Sequence, residues 1–142
     1  MEQAQLDGTA AENRARQRLF VEVLQDGGEL DRVPEFVHAD FLNHTDTFGL
    51  PGGPEGVRLA LAAIRGAFPD HDAQVIHMIA EGDLVATYKS FTGTHTADFL
   101  GIAPTRKRAT IRVMDFVRYR DGKVAEHWGI VDVAGLRAQL NA

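Results

Sequence analysis

Residues 110–131 read TIRVMDFVRYRDGKVAEHWGIV, and this stretch decides the fold. Apolar and polar residues alternate on both sides of Asp121-Gly122, a dipeptide that favours a two-residue hairpin turn. A period of two residues is typical of a strand with one buried face. The stretch therefore predicts two long antiparallel strands, at 110–120 and 124–131.

A two-residue turn also predicts the register of these strands. It pairs Val117 with Glu126 and Asp115 with Trp128, so that these four side chains share one apolar face and His127 lies on the other. A carboxylate among apolar side chains is costly unless it is paired, hydrogen-bonded or protonated, and burial should raise its pKa. Asp115 is therefore either a general acid or base in an apolar cavity or a structural residue bonded to a neighbouring element.

The residues before this hairpin predict helices followed by two more strands. Thr9 and Glu12 form a capping box at the start of the first helix, which Gly27-Gly28 ends. Further helices are predicted around 30–37, from Pro54 to Pro69 and after Asp132, which should cap the last of them. Further strands are predicted at 73–80 and 84–94. Helices that precede antiparallel strands indicate an α+β fold. We expect a single domain over residues 1–142, with residues 1–8 flexible.

Composition excludes several classes of protein. Hydrophobic residues make up 44% of the 142 residues and charged residues 25%, which is ordinary for a globular protein. The chain has no cysteine, which excludes disulfides and thiolate chemistry and favours a cytoplasmic location. The net charge of −5 argues against a nucleic-acid partner. No apolar run reaches the roughly 20 residues of a membrane span, and the acidic N-terminus does not resemble a signal peptide.

Motifs for metals and cofactors are missing from the sequence. No two of the six histidines have the spacing of a zinc site, so we expect no metal. No glycine-rich phosphate loop is present, so we expect no nucleotide cofactor. His44 lies between a helix and a Gly-Pro loop, where the chain would cross the mouth of a cavity. His95 ends a strand after Gly93, which marks a bulge or a close approach of two backbones.

Short motifs in a fixed order resemble a known family. They are Phe41-Leu42-Asn43-His44, Ala67-Phe68-Pro69-Asp70, Ala80-Glu81-Gly82-Asp83, Gly93-Thr94-His95 and Glu126-His127-Trp128. Their order and spacing over residues 12–140 resemble the SnoaL-like polyketide cyclases of the NTF2-like, or cystatin-like, superfamily. The resemblance implies a cone in which N-terminal helices pack on a strongly curved, mostly antiparallel sheet, with a short C-terminal helix.

The resemblance also implies a reaction that needs no cofactor. In the cyclases a carboxylate removes a proton from an apolar polyketide, and the enolate closes a ring by aldol addition. Asn43 matches the pocket asparagine of the family, and Asp115 occupies the position of its pocket histidine. We therefore expect an enzyme of polyketide or related secondary metabolism that catalyses the aldol cyclisation or isomerisation of an apolar polycyclic substrate. Its candidate catalytic residues are Asp115 as base and His44 as proton shuttle. The candidate substrate-binding residues are Asn43 and His95 at a carbonyl oxygen, Trp128 as an apolar wall, and Tyr88.

One departure from the family keeps other functions open. The acid/base aspartate of the founding cyclases aligns with Gly129. The alternatives are a non-catalytic protein that binds an apolar small molecule, and a relative that opens epoxides or assists hydroxylation. Limonene-type epoxide hydrolases need Arg-x-Asp on one strand face, and Val113 stands at the arginine position. For a ketosteroid isomerase, Tyr88 and Asp40 are poorly placed.

We also expect a homodimer or a tetramer. The second face of the hairpin carries Met114, Phe116, Ala125 and Val131, too much apolar surface for a face exposed to water. Members of the family commonly dimerise through this sheet, which favours the same arrangement.

Overall fold

The computed structural model describes residues 8–46 and 48–142. The α-helices are α1 (Ala10–Phe20), α2 (Val33–Phe36), α3 (Gly53–Ala67) and α4 (Val133–Asn141). A π-helical segment, Val21–Asp26, continues α1, and a 3-10 turn, Leu30–Arg32, precedes α2. The strands are β1 (Val37–Asn43), β2 (Asp72–Glu81), β3 (Leu84–Thr94), β4 (Arg108–Arg120) and β5 (Lys123–Val131). Residues 1–7, most of the segment for which flexibility is predicted, lie outside the described residues.

The five strands form one sheet in the order β1-β5-β4-β3-β2. Strand β1 runs parallel to β5, and the other neighbours are antiparallel. Four strands confirm the predictions, whereas β1 was not predicted. Only Val37 and Phe41 of β1 are buried, so the strand lacks the period of two that reveals the others. None of the described helices has the length and apolarity needed to cross a membrane.

Two helix starts confirm the predicted caps. The Thr9 hydroxyl accepts a hydrogen bond from the Glu12 backbone N–H, and the Glu12 carboxylate accepts one from the Thr9 N–H. The Asp132 carboxylate accepts from the Gly135 N–H at 2.8 Å. These bonds satisfy donors that the first turn of a helix leaves unpaired.

The helices cover one face of the sheet, which we call the inner face. One apolar cluster joins α1 to the middle of the sheet, and Phe20, Leu24 and Val117 belong to it. A second cluster, which includes Phe68 and Leu136, joins α3 and α4 to β3 and β4. The alternation of β4 is regular, since every second residue from 109 to 119 is buried. Members of both clusters line a cavity above the inner face.

The register of the hairpin differs from the prediction. Tyr119 pairs with Val124 as expected, but Arg118 pairs with Glu126, so Ala125 is an extra residue that forms a β-bulge. Ala125 and its neighbour Val124 are both buried, which a regular strand would not allow. The bulge moves every later residue of β5 to the opposite face.

The predicted pairing of Asp115 with Trp128 is therefore wrong. Asp115 pairs with Gly129, and Trp128 pairs with Phe116. His127 consequently lies on the inner face, where Trp128 was expected.

Candidate active site

The cavity on the inner face has a volume of about 290 Å³. Side chains of α3, β3, β4 and β5 form its apolar walls, among them Leu61, Phe91, Ile111 and Val113. The exposed segment after β1 forms another wall, and the Asp46 carboxylate holds it by accepting hydrogen bonds from three consecutive backbone N–H groups of residues 48–50. An apolar cavity with a few convergent polar groups is typical of a site for a small molecule.

A buried ion pair lies at the polar end of this cavity. The Asp115 Oδ2 atom is 3.1 Å from the Lys89 Nζ atom, and the two side chains are 3% and 4% exposed. The His127 Nε2 atom lies 3.5 Å from the same carboxylate oxygen. All three residues line the cavity, so β3, β4 and β5 each contribute one charged or titratable group.

The orientation of His127 is set by Asn43. The His127 Nδ1–H donates to the Asn43 Oδ1 atom at 2.8 Å, and the Thr45 backbone N–H donates to the same oxygen at 3.2 Å, which identifies it as the amide oxygen. Nδ1 is therefore a donor, and Nε2 faces a carboxylate that can only accept.

The carboxylate of Asp115 is held in its ionised form. Burial raises the pKa of the Asp115 carboxyl, but the Lys89 ammonium and the His127 ring together lower it by more, so it lies below its ordinary value. The predicted rise in this pKa is wrong, because the prediction left Lys89 out. The other oxygen, Oδ1, is buried and has no hydrogen-bond partner among the described residues.

Gly129 makes room for this arrangement. It lies directly opposite Asp115 across the β4–β5 ladder. A Cβ atom at position 129 would lie 2.7 Å from Cε1 and 2.8 Å from Nε2 of His127. Only glycine leaves the space in which the imidazole ring approaches Asp115.

Asp115 and Asn43 line the cavity, as the sequence analysis expects. His44 and Trp128 do not. Their rings stack at 4.6 Å, and the His44 Nε2 atom lies 3.0 Å from Glu126 Oε1. The expected inward orientation of Trp128 is wrong because the Ala125 bulge turns it to the opposite, outer face of the sheet.

His95 and Tyr88 also lie away from the cavity. His95 is fully buried, its ring stacks on Phe68 at 5.3 Å, and its Nδ1 atom accepts from the Thr105 backbone N–H at 3.2 Å. Tyr88 alternates with the inward Lys89 and lies on the outer face near His77. Neither residue contacts the ion pair, so the site is smaller than the predicted set.

Sequence reasoning missed Lys89 and His127. The signal for Lys89 was present, because Val85, Lys89 and Phe91 lie on the same face of a strand with a period of two. His127 could not be placed without the bulge. Within residues 8–46 and 48–142, no cluster of three or more acidic or histidine side chains could hold a metal ion.

Comparison with known proteins identifies the family. Residues 14–140 match the SnoaL-like polyketide cyclases. The chain belongs to this family. One SnoaL-like relative is the nogalonic acid methyl ester cyclase of Streptomyces nogalater, 28% identical over 115 residues that cover 80% of this chain and 86% of the cyclase.

Solved structures agree with this assignment. IdmH of Streptomyces antibioticus, a proposed polyketide cyclase, is 30% identical with a TM-score of 0.78 over 92% of this chain and 99% of IdmH. AclR of Streptomyces galilaeus, a proposed hydroxylase, is 26% identical with a TM-score of 0.81 over 94% of this chain and 98% of AclR. The SnoaL-like fold, helices on a curved five-stranded sheet with a short C-terminal helix, is therefore the fold of this chain.

Proposed function

We propose that this protein catalyses the intramolecular aldol cyclisation of an apolar, polyketide-like substrate by acid/base chemistry without a cofactor. The observation that carries the proposal is the Asp115 carboxylate, which is buried at the end of an apolar cavity with one oxygen paired and the other without a partner. A carboxylate that lines an apolar cavity can accept a proton from a bound ligand. Family membership and the similarity to a methyl ester cyclase support the type of reaction.

The proposed reaction begins and ends on Asp115. Its carboxylate takes a proton from a carbon beside a carbonyl group, which leaves an enolate. The enolate carbon attacks a second carbonyl carbon of the same molecule, a C–C bond forms, and the electron pair of the second carbonyl moves to its oxygen. That alkoxide takes the proton back from Asp115, so the product is an isomer of the substrate.

Asn43 and the cross-strand position of Asp115 support these steps. The Asn43 amide oxygen is engaged by His127 and Thr45, which leaves the amide NH₂ group to donate to a substrate carbonyl. Positions 115 and 129 are opposite each other, so a carboxylate at either one reaches the same end of the cavity. In this chain Asp115 replaces the aspartate that the family resemblance places at position 129.

The test is the Asp115→Asn variant with nogalonic acid methyl ester as substrate and product detected by mass spectrometry. Asn keeps the shape and a hydrogen-bond acceptor but cannot take the proton, so turnover should fall about 10²- to 10⁴-fold. Asp40→Asn is the matched control, since Asp40 is exposed on β1 and does not line the cavity. Undiminished turnover by Asp115→Asn would contradict the proposal.

A second candidate is a protein that binds an apolar small molecule without turning it over. The low pKa of Asp115 favours it, because a carboxylate held by Lys89 is a weak base. Similarity to AclR likewise favours a hydroxylation-assisting role. If the wild-type protein binds the ester and releases it unchanged, these candidates replace the cyclase.

We also propose that a second copy of the chain covers the outer face. The cross-strand row Ile79, Ala86, Phe116 and Trp128 runs over four strands there, and Ile79 is 70% exposed. Ile130, 74% exposed, and Met114 form a second row beside it. We call these six residues the outer band. A continuous apolar band of this kind is typical of a self-interface.

The outer band differs in two members from the predicted dimer face. Ala125 is buried and Val131 lines the cavity, because the bulge reverses this part of β5, so including them was wrong. Met114 and Phe116 are exposed as predicted. We further propose a cytoplasmic location, which a chain without cysteine favours.

A further inference from the structure

We propose that Lys89 is a substrate-binding residue whose ammonium pairs with an ionised enol or phenol oxygen of the ligand. The inference rests on the proposed function, because it concerns the same cavity. It adds the chemical class of the ligand group that binds at the polar end of that cavity. That class is an acidic hydroxyl conjugated to a carbonyl, as in a 1,3-dicarbonyl unit or a hydroxyquinone.

The first argument is the hydrogen-bonding capacity of the ammonium. A lysine ammonium has three N–H donors and no acceptor. Among the described residues Asp115 is the partner of Lys89 Nζ, at 3.1 Å. Lys89 lines the cavity, so donors that the protein does not use remain available to a ligand oxygen.

The second argument is the balance of charge around Lys89. From β4 it faces the Asp115 carboxylate, and from β5 the His127 ring, whose Nδ1 atom bonds Asn43 and whose Nε2 atom lies 3.5 Å from Asp115. The Asp46 carboxylate at the exposed wall is engaged by three backbone N–H groups. The polar end thus holds the Lys89 ammonium with donors that the single Asp115 carboxylate does not use, and a ligand anion would accept from them.

The third argument is the cost of bringing an anion into an apolar cavity. A charge spread over an enol or phenol oxygen and its conjugated carbonyl is less strongly hydrated than a carboxylate, so it loses less on leaving water. The cavity has apolar walls and is large enough for fused rings, which suits a delocalised anion. The low pKa of Asp115 points the same way, because a weak base removes a proton readily only from an acidic group.

The experiment uses alizarin, a hydroxyanthraquinone that changes colour when its phenol ionises. The absorption of the dye bound to wild-type protein is followed against pH. We expect the ionised dye to bind at least about tenfold more tightly than the neutral dye, so that the bound phenol ionises at a correspondingly higher proton concentration. Lys89→Met should abolish this preference, and Lys89→Arg should keep it.

Two controls make the result specific. Lys123→Met removes a lysine outside the cavity, where Lys123 Nζ bonds the Pro34 carbonyl, and should leave the preference unchanged. If Lys89→Met does not fold, the Lys89→Met/Asp115→Leu variant removes the whole ion pair and should also lose the preference. Bound dye that ionises at the same pH as free dye, or a preference that survives loss of Lys89, would overturn the inference.

The assay does not depend on turnover. Asp115→Asn retains Lys89, so it should still bind the ionised dye preferentially even where catalysis is lost. If Asp115→Asn retains full turnover, the cyclase mechanism fails while the assignment of Lys89 stands. If the preference is independent of Lys89, the assignment fails whatever the turnover.

Discussion

The two faces of the same strands carry opposite kinds of side chain. On the inner face Lys89, Asp115 and His127 lie buried or half-buried at the end of an apolar cavity. On the outer face Phe116 and Ile130 are exposed to water. A half-buried antiparallel sheet ordinarily hides apolar residues and exposes polar ones. The residues that break this rule are those to which we assign function. We assign the buried charged residues to ligand binding and catalysis, and the exposed apolar residues to an interface with a second copy of the chain.

The largest effect should come from breaking the inner ion pair. Lys89→Met leaves the buried Asp115 carboxylate without its cation, and we expect the free energy of unfolding to fall by about 3 kcal/mol. Chemical denaturation measures this change. Lys123→Met, at a half-buried lysine outside the cavity, is the control and should differ little from wild type.

A double variant separates the loss of charge from the loss of packing. In Lys89→Met/Asp115→Leu no charge is left unpaired, so most of the lost stability should return. A Lys89→Met protein as stable as wild type would show that the buried Asp115 carboxylate does not depend on Lys89, which contradicts our description of the inner face.

The next effect should come from Gly129→Ala. The new Cβ would lie within 3 Å of the His127 ring, which must leave its position beside Asp115. We expect turnover to fall about 10²-fold, because the displaced His127 ring no longer holds Asn43 in place for the substrate carbonyl, while stability changes little. Gly66→Ala in α3, where a Cβ meets no atom within 4 Å, is the matched control. Full turnover in Gly129→Ala would show that the position of His127 does not matter for the proposed reaction.

A smaller effect should appear at acid pH. The pKa of Asp115 is lower in the folded protein than its ordinary value of about 3.9, so the unfolded chain binds a proton first as the pH falls. Its contribution to stability is therefore complete above about pH 5 and is lost progressively below pH 4. Denaturation from pH 7 to pH 2 should show this loss in wild type, and the Lys89→Met/Asp115→Leu variant should lack that component.

The smallest effect on the chain itself should come from the outer band. Ile130→Lys should change the free energy of unfolding of the isolated chain by no more than about 0.5 kcal/mol, yet convert a dimer into a monomer in light scattering. Leu19→Lys on α1 replaces an exposed apolar residue outside the outer band and should leave the dimer intact. A wild-type monomer at micromolar concentration would exclude the proposed self-interface.

Local signals in the sequence account for most of the fold. The caps at Thr9 and Asp132, the Asp121-Gly122 turn and the alternation of β4 each depend on a few neighbouring residues. Strand β1 does not, because it exists through parallel pairing with β5, more than 80 residues later. Such pairing leaves no period in the sequence of the strand itself.

The residues of the candidate site, like the elements of the fold, were predictable only where a local signal in the sequence places them. Asp115 follows from the alternation of β4, and Asn43 from the family resemblance. His127 depends on the bulge at Ala125, which in turn depends on how Val124 and Ala125 pack under the helices. Because one extra residue reverses a strand, the choice between His127 and Trp128 could not be made from the alternation alone.

The Ala125 bulge also means that two alignments of the hairpin compete. In the regular alignment Glu126 would stand on the inner face beside Val117, and its carboxylate would be separated from the Arg118 guanidinium, which now lies 2.9 Å away. Burying that charge without a partner costs several kcal/mol, whereas accommodating one additional alanine costs little by comparison. Glu126, which does not line the cavity, therefore favours, together with the packing of Val124 and Ala125, the alignment that brings His127 into it.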